Sequence, residues 1–178
     1  MALKLEDLDV ARAFMIEEID MDARNDQIYL STYLTQSGQG QWADMLRAAA
    51  QNGNDDSLAV EITRAAVLNR RIQKRSPKGR IIWADVPYNA NQVLGEGEFN
   101  RYFCRGLSRH AIEAQIPRLE VYRAKQVTQP RMESERKIGM LVEPAVILID
   151  LRSSQGVEPA LGIPPGPGSG ITLRIPKN

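Results

Sequence analysis

The chain has 178 residues, 43% hydrophobic and 25% charged, ordinary values for a globular protein, and its aromatic share of 6% leaves much of the core to aliphatic and alanine packing. Such a length buries about two-thirds of the surface of the unfolded chain, so no metal or disulfide staple is required; the single cysteine, Cys104, excludes an intrachain disulfide and a cysteine-rich zinc site. The net charge of +1 conceals an asymmetry: residues 1–62 hold four basic and twelve acidic residues (net −8), and residues 63–137 hold sixteen and seven (net +9). Opposed segments of this kind point to electrostatic partners.

From the N-terminus, LEDLDVARAFMIEEID reads as an amphipathic helix with Leu8, Ala11, Met15 and Ile19 on one face. QIYLSTYL at 27–34 fits a short strand or an irregular apolar segment, and SGQGQ after it fits a turn. WADMLRAAAQ predicts a short helix stopped at Asn52-Gly53. NDDS at 54–57 offers caps for a third helix, SLAVEITRAAVLNRRI, with Leu58, Ile62, Ala65 and Ala66 as its buried stripe. KRSPKGR is then a basic connection broken by Pro77 and Gly79.

RIIWADV at 80–86 predicts a strand closed by Pro87, NANQ a short capped turn, and GEG a break before the helix EFNRYFCRGLSRHAIEA at 98–114. RLEVYRAKQV alternates as a half-buried strand, and MESERKIGML predicts a helical turn or short helix. In EPAVILIDLR, Pro144 suits the first position of a helix, while Val146, Ile147 and Ile149 suit a strand; the lack of a turn signal before Ser153 tips the reading to helix. PALGIPPGPGSG at 159–170 is a proline-rich extended loop that positions a terminal strand, GITLRIP.

These elements predict an α+β fold: four or five helices packed with a small sheet of about three strands, with residues 1–158 as one globular domain and 159–178 as a Pro/Gly-rich arm ending in a short strand. The longest apolar run, AVILI at 145–149, falls far short of the roughly 18 residues of a membrane span, and MALKLEDLD has no signal-peptide core. The expected setting is therefore intracellular, or inside an assembled particle, with no membrane contact.

In the 98–114 helix, Arg101, Arg105 and Arg109 share one side, opposite a face of Phe99, Phe103, Leu107 and His110. The stripe suits either phosphates or carboxylates. Arg70, Arg71, Lys74, Arg75 and Lys78, with Arg80, form a second basic patch, and Glu17, Glu18, Asp20, Asp22 and Asp26 form an acidic face at the end of the first helix. Cys104 and His110 lie about 120° apart on one helix and make no catalytic pair; His110 reads as a packed histidine and Cys104 as a small buried hydrophobe.

The acidic cluster lacks the central glycine of a calcium loop, and Glu135-Arg136-Lys137 lacks the strand that a nuclease motif needs. Prolines 164, 165 and 167 remove backbone donors that a phosphate cradle at GPGSG would use. The residues thus predict no cofactor and no metal. The expectation is a non-enzymatic structural or adaptor protein in an oligomer or larger assembly, such as a phage particle, whose acids meet the arginines of itself or another protein. The alternative is nucleic-acid binding through the arginine stripe and the 70–80 run.

Overall fold

The computed structural model of the chain describes residues 1–156 and 159–177. Residue 158, at the expected end of the globular domain, and residue 178 lie outside them. Among the described residues the order of elements is α1 (Leu8–Arg24), α2 (Gln36–Asn52), α3 (Asp55–Arg64), β1 (Arg71–Arg75), β2 (Ile81–Asp85), α4 (Ala90–Glu113), β3 (Leu119–Arg123), α5 (Met132–Glu135), β4 (Leu141–Val142), α6 (Pro144–Ser153) and β5 (Ile171–Arg174). The strands form two antiparallel sheets, β1–β2 and β4–β3–β5, and the fold is α+β. No helix among the described residues is long and apolar enough to cross a membrane.

Local chemistry sets the starts of three helices, α2, α3 and α6. Thr35 caps α2 by accepting from the Gly38 N–H at 3.0 Å. Asn54 and Ser57 cap α3 reciprocally, each side chain accepting the other's backbone N–H at 2.8 Å. Pro144 opens α6, where its missing N–H costs nothing. The predicted turn at 37–41 is instead the first turn of α2, because the Thr35 cap moves the start back to Gln36.

α4 is the axis of the molecule. It is 24 residues long, packs against α1, α3 and α6, and buries Phe99, Tyr102, Phe103, Cys104 and Leu107 among Met15, Ile19, Leu58, Ile62, Ile147 and Leu151 of those helices. The predicted break at GEG does not occur. Gly95 lies inside α4 where α3 crosses, and a Cβ there would stand 3.0 Å from the Asp55 carbonyl oxygen and 3.1 Å from Ala59 N. Packing against α3 outweighs the roughly 1 kcal/mol helix penalty of glycine. Gly106 does the same for α1: its absent Cβ would meet Met15 Cγ at 2.7 Å and the Ala11 carbonyl oxygen at 2.8 Å.

The third helix ends earlier than its periodicity predicts. α3 stops at Arg64, Ala66 takes a φ of +50°, and residues 67–69 run extended beside 33–35. The Val67 carbonyl accepts from Thr35 N–H at 2.8 Å, and Asn69 N–H donates to the Tyr33 carbonyl at 2.8 Å. This pairing, with Val67 drawn into the core, overrides the helical preference of RAAVLNRRI. The same pairing leaves 27–34 irregular.

The three-stranded sheet covers one side of α4. Val121 of β3 faces Leu173 of β5 in register, and both are buried with Leu119 and Ile171. The Pro/Gly-rich segment does not project. Pro164 and Pro165 are buried, Gly168 N–H donates to Glu96 of α4 at 2.7 Å, and the segment delivers β5 to the edge of β3.

Gly106→Ala sets a methyl group against α1 backbone, so urea denaturation will show a loss of about 1–3 kcal/mol. Gly166→Ala adds a methyl where no atom lies within 4 Å, and will stay within about 0.5 kcal/mol of the parent.

Candidate functional site

The three stripe arginines have three different fates. Arg105 has no exposed surface. Its Nε donates to Glu18 at 2.9 Å, and its Nη1 and Nη2 donate to the two Asp22 oxygens at 2.5 and 2.9 Å. The guanidinium also lies 5.0 Å over the Tyr102 ring, whose hydroxyl donates to Asp22 at 2.9 Å. Arg152 of α6 closes the cluster from the far side, donating to Glu18 at 3.0 and 2.5 Å. Two buried carboxylates thus meet one buried arginine, Arg105, and one that reaches in from the surface, Arg152.

Arg109 sits at the rim, 2.6 Å from Glu17, with its guanidinium 5.3 Å over the Phe14 ring. Arg101 donates to the Leu151 and Ser154 carbonyls at 3.3 and 3.0 Å, satisfying the end of α6. The helical wheel places the arginines together correctly, but α1 and α6 cover that side too. A partner contact needs exposed atoms, so Arg105, Glu18 and Asp22 leave the two predicted contact faces. Asp20 pairs with Arg47 of α2, and Asp26 stays exposed just beyond α1.

In Glu18, burial pushes the carboxyl upward, but the Arg152 hydrogen bond and the Arg105 charge outweigh it and hold the group below the usual carboxylate range. Cys104 is fully buried, within 3.5 Å of Thr172 Oγ1, and burial pushes its thiol up to about 12. His110 is half-buried against Phe14, with ring centroids 5.9 Å apart. Among the described residues no three His, Cys, Asp or Glu side chains stand together as a metal cage.

The basic run has the opposite fate. Residues 70–86 form a hairpin, Arg71 facing Asp85 and Arg75 facing Ile81. Pro77, Lys78 and Gly79 make its loop: Gly79 takes a φ of +78° and donates to the Ser76 carbonyl at 2.9 Å. KRSPKGR is therefore the tip of a ribbon, and β1 occupies residues expected to end the third helix. The ribbon packs on itself and on little else. Ile81 is 68% exposed and Trp83 56%.

Alternation puts Arg71, Gln73, Arg75, Ile81, Trp83 and Asp85 on one face, so Arg71 and Arg75 flank Trp83 diagonally. Six basic residues against one acid give residues 70–86 a net charge of +5. Arg71 pairs with Asp85 at 3.2 Å; among the described residues the side chains of Arg70, Lys74, Arg75, Lys78 and Arg80 make no ion pair. Trp83, Ile81 and Ile82 were not among the predicted contacts, because an apolar strand reads as core. The signal available in the sequence was the Ser-Pro-Lys-Gly turn between two short runs. No family model, curated protein or solved structure matches the chain.

Arg105→Ala leaves two buried carboxylates short of a partner and will lower stability by about 3–5 kcal/mol in urea at neutral pH. Because Glu18 is held low in the folded state, its stabilisation is complete above the unfolded value of about 4.3 and is lost as pH falls through the lower folded value. Glu18→Gln will therefore flatten the acid limb of the stability profile, read by urea midpoints across pH.

Proposed function

We propose that the chain is a non-enzymatic structural or adaptor protein, and that the β1–β2 hairpin is the arm with which one copy docks on another. The observation that supports this reading is the hairpin's isolation: it extends from a tightly packed body, with Ile81, Ile82, Trp83 and the fully exposed Tyr88 uncovered among basic side chains. A two-stranded ribbon alone is marginal in water, and tryptophan and arginine are the side chains that dominate interface energetics.

The complementary surface is the acid on the outer side of α1 and α2. Asp9, Glu17 and Asp44 stand there in surface ion pairs with Arg12, Arg109 and Arg47, pairs that are worth little in water and open to exchange, and Asp26 is exposed just beyond α1. Opposite patches of this kind set encounter rate and register more than raw affinity. A hairpin on one surface and an acidic face on another make a head-to-tail contact, which builds a ring or an open array. A phage-type particle is one setting for such an array.

A second reading, nucleic-acid binding, is favoured by Trp83 between Arg71 and Arg75 on one ribbon face. A ribbon of this size fits a major groove, and an exposed indole stacks on unpaired bases.

Light-scattering chromatography across a salt series, with the 260/280 nm absorbance ratio, separates the two. The expected result is a mass well above the 19.9 kDa monomer at low salt, falling toward it as salt rises, with the absorbance ratio of protein alone. Replacing Ile82 and Trp83 by serine will give a monomer at every salt with an unchanged urea midpoint. A salt-insensitive wild-type monomer contradicts the proposal, and a species rich in 260 nm absorbance transfers it to the second reading.

A further inference from the structure

A cavity of about 340 Å³ lies between the α1–α2 connection, the N-terminal half of α4 and the Pro/Gly-rich segment. It is at the small end of the range of ligand sites. Tyr29 and Tyr33 form one wall and Pro164 and Pro165 another, while α4 supplies the polar groups. Most of those polar groups are already occupied. Glu96 accepts from Lys125 Nζ at 2.8 Å and from Gly168 N–H at 2.7 Å. Asn100 donates to the Ile171 carbonyl at 2.9 Å and accepts from Thr172 at 2.5 Å, and Arg101 donates to the end of α6.

Glu98 is the exception. It is 7% exposed, lines the cavity, has a carboxylate that makes no hydrogen bond among the described residues, and has a fully buried Oε2 without a partner. A buried carboxylate without a donor is costly, and native interiors rarely leave one. The hydroxyls of Tyr29 and Tyr33 also make no hydrogen bond among the described residues. The missing component is a donor, and a positively charged one gains most: it neutralises Glu98, and aromatic faces attract cations.

We propose that this cavity binds a ligand that ends in a primary ammonium group on a small apolar body, with Glu98 as its counter-ion and Tyr29 and Tyr33 as its walls. The site is independent of the hairpin and extends the function beyond assembly. Burial raises the Glu98 carboxyl to about 7; Arg101 and Arg105 on its own helix oppose the rise, and Asp22 of α1 adds to it. Glu96, on the same helix, faces the cavity already paired with Lys125, and the cavity residues of the α1–α2 connection and α6 carry no charge. Ionised Glu98 is the binding form, so affinity rises with pH toward 7 and levels off above it.

Isothermal titration calorimetry with three probes tests this. Benzylammonium represents a free amine, Nα-acetyl-lysinamide represents a lysine side chain of another protein, and benzyl alcohol is the neutral control. At least one ammonium probe will bind the wild-type protein at about pH 8, lose about tenfold in affinity per pH unit below 7, and exceed benzyl alcohol by about tenfold or more. Which ammonium probe binds better identifies the source of the ligand. Glu98→Gln will remove about tenfold or more of that affinity, and Val93→Trp, at the exposed rim, will weaken binding without touching Glu98. If Glu98→Gln does not fold, the charge preference of the wild type and the Val93→Trp effect decide. Failure of both ammonium probes, equal binding of benzyl alcohol, or a folded Glu98→Gln that binds like the wild type overturns the proposal.

Discussion

A guanidinium held entirely out of water organises this fold. Desolvating Arg105 costs several kcal/mol, and attraction to Glu18 and Asp22 offsets that cost only while both carboxylates stay within hydrogen-bonding reach. The requirement fixes the register of α1 against α4, since a shift of one residue on either helix separates the charges. Arg152 extends the same constraint to α6. Gly106, one residue beyond Arg105, removes the side chain that would hold α1 away. Apolar neighbours supply the burial; the ion cluster selects one arrangement of three helices.

The cluster also changes what the charge asymmetry means. Part of the opposition between the acidic first third and the basic middle is neutralised within the molecule, by Arg105 and Arg109 against Glu17, Glu18 and Asp22. The hairpin does not share in this neutralisation. It carries its charge away from the body with, among the described residues, one weak surface pair, Arg71 to Asp85. The Arg105 cluster is satisfied inside the body while the ribbon stays cationic and uncovered, and the docking role proposed for the ribbon rests on that contrast.

Much of the fold was legible from local signals. Helical periodicity located α1, alternation located β3, and Pro144 with the absent turn signal identified α6 correctly as helix. Where reading failed, a distant partner decided the outcome. RAAVLNRRI is a good helical stretch in isolation, and only its pairing with residues 33–35 turns it into an extended entry to the hairpin. Gly95 and Gly97 looked like punctuation, whereas α4 runs through both. The arginine stripe was placed on the right side of α4, but a wheel cannot distinguish solvent from carboxylates when a helix is covered on nearly every side. Glu98 had no sequence signature, because its isolation depends on the loop and the proline segment that close over it.

Hydrogen–deuterium exchange on the free and the self-assembled protein tests the division into rigid and docking parts most directly. In the free protein, amides of α1 and α4 around the Arg105 cluster should exchange only through global unfolding, while those of Arg71–Asp85 exchange quickly. On assembly, new protection should appear in the hairpin and on the exposed acidic side of α1 and α2, with no change around Arg105. A hairpin as protected as α4 in the free monomer, or assembly that leaves its exchange unaltered, would contradict that division.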